Sequence, residues 1–194
     1  MKKILLIGII AGIFSGCKTV KTTTNNIINE ELGYYPLKTG NYWIHKYFDS
    51  NNTQTIKVVD KNIEINGKHY FKIERKYSWN KKSVDYSRNE KGTNYSYDDK
   101  TKGESINIPN NLEVGFTWLQ FDKSWKYEII STNAKIETPI GKYENLLLIE
   151  ASQLTNRDKY KRSKYQLFFK RGVGKIAAKG NGKLMTYLTK YNVQ

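Results

Sequence analysis

Ile63-Glu64-Ile65-Asn66-Gly67-Lys68-His69-Tyr70-Phe71-Lys72-Ile73 reads as two alternating runs hinged on Asn-Gly. Asn and Gly tolerate positive φ better than other residues, and a two-residue type I′ turn needs it at both central positions. Apolar and polar residues alternate with period two on either side, the pattern of half-buried strands. The stretch predicts an antiparallel hairpin, and the rest of the chain repeats its logic.

Upstream, Trp43, His45 and Tyr47 alternate with Tyr42, Ile44, Lys46 and Phe48, and Ile56 with Val58 leads into Ile63 across a short break. Downstream, Phe71, Ile73 and Arg75 interleave with Lys72, Glu74 and Lys76. Glu90-Lys91-Gly92 and Asp98-Asp99-Lys100 read as turns between tyrosine-rich strands, and Val114–Trp118 and Trp125–Ile129 continue the theme. Leu146-Leu147-Leu148-Ile149 is apolar on both faces, as a doubly covered strand would be. Tyr165–Phe169, Val173–Ala178, a Gly180-Asn181-Gly182 turn and Lys183–Tyr191 complete the series. No helical stripe longer than about two turns follows residue 32, and 15 tyrosines among frequent Ile, Thr and Val favour sheet. The prediction is a mainly β domain over 33–194: a single curved antiparallel sheet or open half-barrel of about nine to eleven strands.

The first residues have a different purpose. Lys2 and Lys3 precede an apolar run from Ile4 to Phe14, which as a helix reaches roughly 16 Å, about half of a ~30 Å hydrocarbon core. Phe14-Ser15-Gly16-Cys17 resembles the lipobox of a bacterial lipoprotein signal peptide, with Phe14 where that family usually carries Leu. The resemblance implies that 1–16 is a signal peptide and that Cys17 is lipidated, with diacylglycerol on sulfur and an acyl chain such as palmitate on nitrogen. It implies a membrane anchor in the bacterial cell envelope. Cys17 is the sole cysteine, so lipidation would leave the domain no thiol for a disulfide, thiolate metal site or nucleophile. The polar segment 17–32 reads as a flexible tether. No acidic run follows Cys17, which favours the outer membrane with the domain in the periplasm.

The chain carries 33 Lys and Arg against 18 Asp and Glu, a formal charge of +15, or +13 without Lys2 and Lys3. Such an excess suits nucleic acid, anionic membrane surfaces or acidic glycans, or simply a lysine-rich solvated surface. The basic residues are dispersed, with no zinc-finger spacing or basic helix, so the reading excludes nucleic acid as a partner.

Tyr35-Pro36-Leu37-Lys38-Thr39-Gly40-Asn41-Tyr42-Trp43 resembles the "PLKxGNxW" opening of a group of uncharacterised envelope lipoproteins. Pro139-Ile140-Gly141-Lys142-Tyr143 and Gly172-Val173-Gly174 follow in the order seen there. The resemblance implies a curved sheet similar in architecture to the LolA/LolB lipoprotein carriers, one face of which can cradle an acyl chain. Fold likeness transfers no function. Gly40, Gly141, Gly172 and Gly174 have a sufficient structural reading as positive-φ or close-approach positions.

Catalytic signals are thin. His45 and His69 are the only histidines, so a two-histidine metal site would need both on one face beside a carboxylate such as Glu74. No Gly-x-Ser-x-Gly elbow is present, Gly172-Val173-Gly174 lacks the Lys-Ser/Thr of a phosphate loop, and Glu30-Glu31 and Asp98-Asp99 fall in tether or turn. The reading is non-catalytic, with no cofactor and no metal. Trp43, Tyr47, Phe71, Trp118, Trp125 and Phe169 are the candidates for lining an apolar or amphipathic ligand or a partner lipoprotein, with core packing as their alternative role. Trp79, among Ser78, Asn80, Lys81 and Lys82, is the candidate for stacking a glycan. A structural or assembly role on another envelope protein is the third reading.

Overall fold

The computed structural model describes residues 33–155 and 162–194; the leader, Cys17 and the tether lie outside them. Among the described residues there are twelve strands and no helix: β1 (Tyr42–Tyr47), β2 (Thr53–Ile65), β3 (Lys68–Tyr77), β4 (Lys82–Glu90), β5 (Thr93–Asp98), β6 (Gly103–Ile108), β7 (Thr117–Leu119), β8 (Trp125–Thr138), β9 (Gly141–Gln153), β10 (Lys164–Lys170), β11 (Gly174–Gly180) and β12 (Lys183–Asn192). The expected Asn66-Gly67 turn joins β2 to β3 with φ of 51° and 72°, and Lys91-Gly92 and Asn181-Gly182 repeat that geometry. The single curved antiparallel sheet is as expected, with twelve strands where about nine to eleven were expected.

All twelve form one antiparallel sheet in the order β6-β5-β4-β3-β2-β1-β12-β11-β10-β9-β8-β7. First and last strands pair, so the two free edges, β6 and β7, are consecutive in the chain. They meet through side chains: Trp118 Nε1 donates to Ile106 O at 2.9 Å, and Phe121 N donates to Ser105 Oγ at 3.0 Å. The sheet is therefore nearly closed into a barrel, which leaves little unpaired edge. The inner face of β1–β3 carries Trp43, His45, Gln54, Ile56, Val58 and Ile73, all buried, in register across the three strands. Lys57 and Glu74 pair on the opposite face beside Lys76.

The doubly apolar β9 has a specific explanation. Leu147 and Ile149 pair with Phe169 and Leu167 on one face, while Leu148, Phe168, Ala177 and Tyr187 form a row across the other. Register shifts at Ile129/Ser131, Ser131/Ala134 and Ala134/Ile136 bend the distal half of the β8–β9 hairpin, as bulges do. Its turn residue Pro139 reaches a cleft shared with Lys46, Phe48 and Tyr187. Ala134, Ile136 and Tyr143 of the hairpin join the same apolar cluster as Phe168, Ala177 and Tyr187. The chain thus covers the outside of its own sheet.

On the outer face of β3–β6, Glu104 accepts hydrogen bonds from Arg88 Nε at 2.5 Å, Arg88 Nη2 at 2.9 Å, Lys68 Nζ at 2.6 Å and the Tyr70 hydroxyl at 2.7 Å. The Arg88 guanidinium lies 4.3 Å from the Tyr95 ring centroid. This knot ties together the strands whose sequence is least apolar.

Candidate functional site

Strand alternation places the N-terminus of the domain at the barrel end that carries the β2–β3, β4–β5 and β10–β11 turns. The segment before β1 crosses that end. Gly172 N donates to Gly33 O at 2.6 Å, Asn89 Nδ2 donates to Tyr35 O at 3.1 Å, and the Arg171 guanidinium sits 4.7 Å from the Tyr34 ring centroid. Tyr35 stacks on Trp43 with centroids 6.3 Å apart.

Between Tyr35 and the inner walls lies a hollow of about 200 Å³. Its lining comes from β1, β2, β3, β6, β8, β10 and β11, strands far apart in the sheet that converge only because it curls. Trp43, Ile56, Tyr127, Leu167 and Phe169 make one wall apolar and aromatic. His45, Arg75 and Lys175 make the other polar, and Asn107 adds an amide. Arg75 hydrogen-bonds Asp85 through Nε, and the two side chains keep 23% and 39% of their surface accessible, so this wall is wetted.

Among the described residues, His45 Nδ1 lacks a hydrogen-bond partner at the polar wall and Lys175 lacks a salt bridge. His45 is 1% exposed; its Nε2 lies 2.9 Å from Lys175 O, which as a carbonyl can only accept, so Nε2 carries the proton. Nδ1 is then a bare lone pair, buried and without a partner. Burial first, then the Lys175 and Arg75 cations, hold the His45 imidazolium down to about 3 against the opposing backbone bond. Lys175 makes no salt bridge among the described residues; burial and the Arg75 cation depress its ammonium to about 8, with Asp85 opposing. Burial also raises the Tyr35 phenol, while Arg75 lowers it.

Of the residues singled out in the sequence, Trp43 and Phe169 line the hollow. Trp118 is buried in the second apolar cluster between Phe116 and Tyr127, with centroids at 6.0 and 5.4 Å, and serves the β6–β7 seam. Trp125 is buried against Tyr165. Phe71 packs on the main cluster, and Tyr47 lies at the far rim, 5.5 Å from Trp79. Trp79 is 46% exposed and backed by Tyr77 at 4.7 Å. His45 and His69 do not meet: His45 pairs with Gln54 and Gln54 with Tyr77, from which His69 is roughly 26 Å along β3 at about 3.3 Å per residue. Among the described residues no three His, Cys, Asp or Glu side chains gather as a metal site would require. Arg75, Asp85 and Lys175 gave no sequence signal, because charged residues alternating with apolar ones read as a solvated face.

The Gly-Val-Gly motif serves this wall. Trp43 Nε1 donates to Val173 O at 2.5 Å, and Gly174 has φ +111°, with a Cβ there only 3.0 Å from that indole nitrogen. Gly174→Ala is expected to cost about 1–3 kcal/mol, from backbone strain and displacement of Trp43. Urea unfolding with tryptophan fluorescence checks it, and an unchanged midpoint would refute it.

Comparison with protein-family models, curated proteins and solved structures finds no match for this chain. Among the described residues no helix is long and apolar enough to cross a membrane.

Proposed function

We propose that this protein is a lipid-anchored, non-catalytic binding protein of the bacterial cell envelope, holding an apolar or amphipathic ligand inside its curled sheet. The observation that carries the binding reading is the hollow itself, with an aromatic wall facing a polar wall that carries His45, Arg75 and Lys175. Binding sites are typically concave and mostly apolar with a few convergent polar groups. At about 200 Å³ the hollow suits a ring-sized compound rather than a long acyl chain. The lipobox-like Phe14-Ser15-Gly16-Cys17 supports the anchor, and the absence of an acidic run after Cys17 supports an outer-membrane protein with its domain in the periplasm.

Full-length protein purified from membranes is expected to incorporate labelled palmitate, to lose it in Cys17→Ala, and to release a small organic compound on denaturation. Label retained by Cys17→Ala overturns the anchor, and a reproducibly empty protein counts against the binding reading. A second reading, glycan stacking, is favoured by the exposed Trp79 ring braced by Tyr47 and Tyr77. Oligosaccharide quenching of the same preparation's fluorescence, lost in Trp79→Ala, would select it.

A further inference from the structure

We infer that the hollow is built for a small monoanion, a carboxylate on an apolar body of about one ring, whose charged group sits between Lys175 and Arg75 while its body lies against Trp43, Leu167 and Phe169. The inference rests on the binding reading above and specifies its ligand class.

The charge balance leads to it. Among the described residues the polar wall holds two cations, Arg75 and Lys175, and one facing carboxylate, Asp85, which Arg75 takes through Nε. Arg75 has five N–H donors, so the bond from Nε to Asp85 leaves donors on the guanidinium that a second carboxylate can share with Tyr35. Lys175 is left without a salt bridge among the described residues, half-buried where desolvation already disfavours its charge. A partly desolvated charge gains from an opposite partner, and a buried polar atom without a partner calls for an explanation. His45 Nδ1 is such an atom on the same wall. One negative charge would balance the excess cation, and a protonated or hydroxylated position on the ligand would satisfy Nδ1. Among the described residues the polar atoms of the opposite wall are engaged elsewhere: the Trp43 indole donates to Val173 O, and the Tyr127 hydroxyl lies 3.3 Å from Gln120 Oε1. Size sets the body: a cavity of about 150 Å³ accommodates benzene, so about 200 Å³ leaves room for a ring and one carboxylate.

The test compares benzoate with benzamide, its neutral near-isostere, by isothermal titration calorimetry on the full-length protein. Benzoate is expected to bind at least tenfold more tightly. Lys175→Gln should reduce benzoate binding about tenfold and leave benzamide unchanged. Asp85→Asn, which removes the competing carboxylate, should tighten benzoate. The opposite directions of these two variants separate charge recognition from loss of fold. Equal binding of benzoate and benzamide would overturn the monoanion while leaving a ligand-binding hollow. Binding of neither would overturn both, as a hollow holding water only.

Discussion

Replacing Trp43 with alanine is expected to lower folding stability by about 4 kcal/mol, within the usual range for large buried aromatics. Trp43 is 5% exposed, pairs with Ile56 on β2 and Tyr191 on β12, and stacks on Tyr35. It stands where the first and last strands of the chain, β1 and β12, pair in the middle of the sheet, so its loss removes packing from the junction that brings the two halves together. Its indole also satisfies Val173 O in the β10–β11 turn. Trp43→Phe separates the contributions: the ring stays, the carbonyl loses its donor, and about 1–3 kcal/mol should go. Urea unfolding of both variants provides the measurement. A loss below about 1 kcal/mol in Trp43→Ala would mean that the halves are not joined through this residue.

The fold was legible because alternation and turn chemistry agree locally at nearly every step. Asn66-Gly67 and Asn181-Gly182 take up the positive φ that their residues favour, Gly92 does the same beside Lys91, and the strands between them follow period two. The closure was not legible. It depends on the meeting of β6 with β7 through Trp118 and Phe121, and side-chain bonds across a seam leave no periodic trace. The folded-back β8–β9 hairpin was half legible: the apolar Leu146–Ile149 run announced two covered faces, but bulges at Ser131 and Ala134 decide what covers the outer one. The site was legible on its apolar wall alone. Trp43 and Phe169 stand out by type, whereas Arg75 and Lys175 resemble the many cations of a +15 chain. Only curvature distinguishes a lysine facing the lumen from one facing solvent.

The same buried groups dictate how the protein responds to acid, and the expected losses are large. His45 is neutral in the fold, titrating at about 3 where its ordinary value is 6.5, with Lys175 and Arg75 facing it and Asp85 paired to Arg75. Below pH 6.5 the unfolded chain binds a proton that the folded chain refuses, so stability falls as pH drops from 6.5 towards 3. At about 1.4 kcal/mol per unit the loss is about 2 kcal/mol by pH 5 and about 5 kcal/mol by pH 3. Glu104 opens a second, lower window. Burial pushes its carboxyl up, but the hydrogen bonds from Arg88, Lys68 and Tyr70 together outweigh burial and hold it at about 2. Its contribution is complete above the ordinary value of 4.5 and is lost as pH falls from there to 2, about 3 kcal/mol in all. The windows are separable by substitution. Urea unfolding across pH should give a slope near 1.4 kcal/mol per unit between pH 6.5 and 4.5, removed in His45→Gln, whose amide can still donate to Lys175 O. Glu104→Gln should keep that slope and remove only the extra steepness below 4.5, where the His45 slope continues to about pH 3. A His45→Gln profile parallel to the parent's through the upper window would show that the imidazole takes up its proton in the fold, which the cations around it oppose.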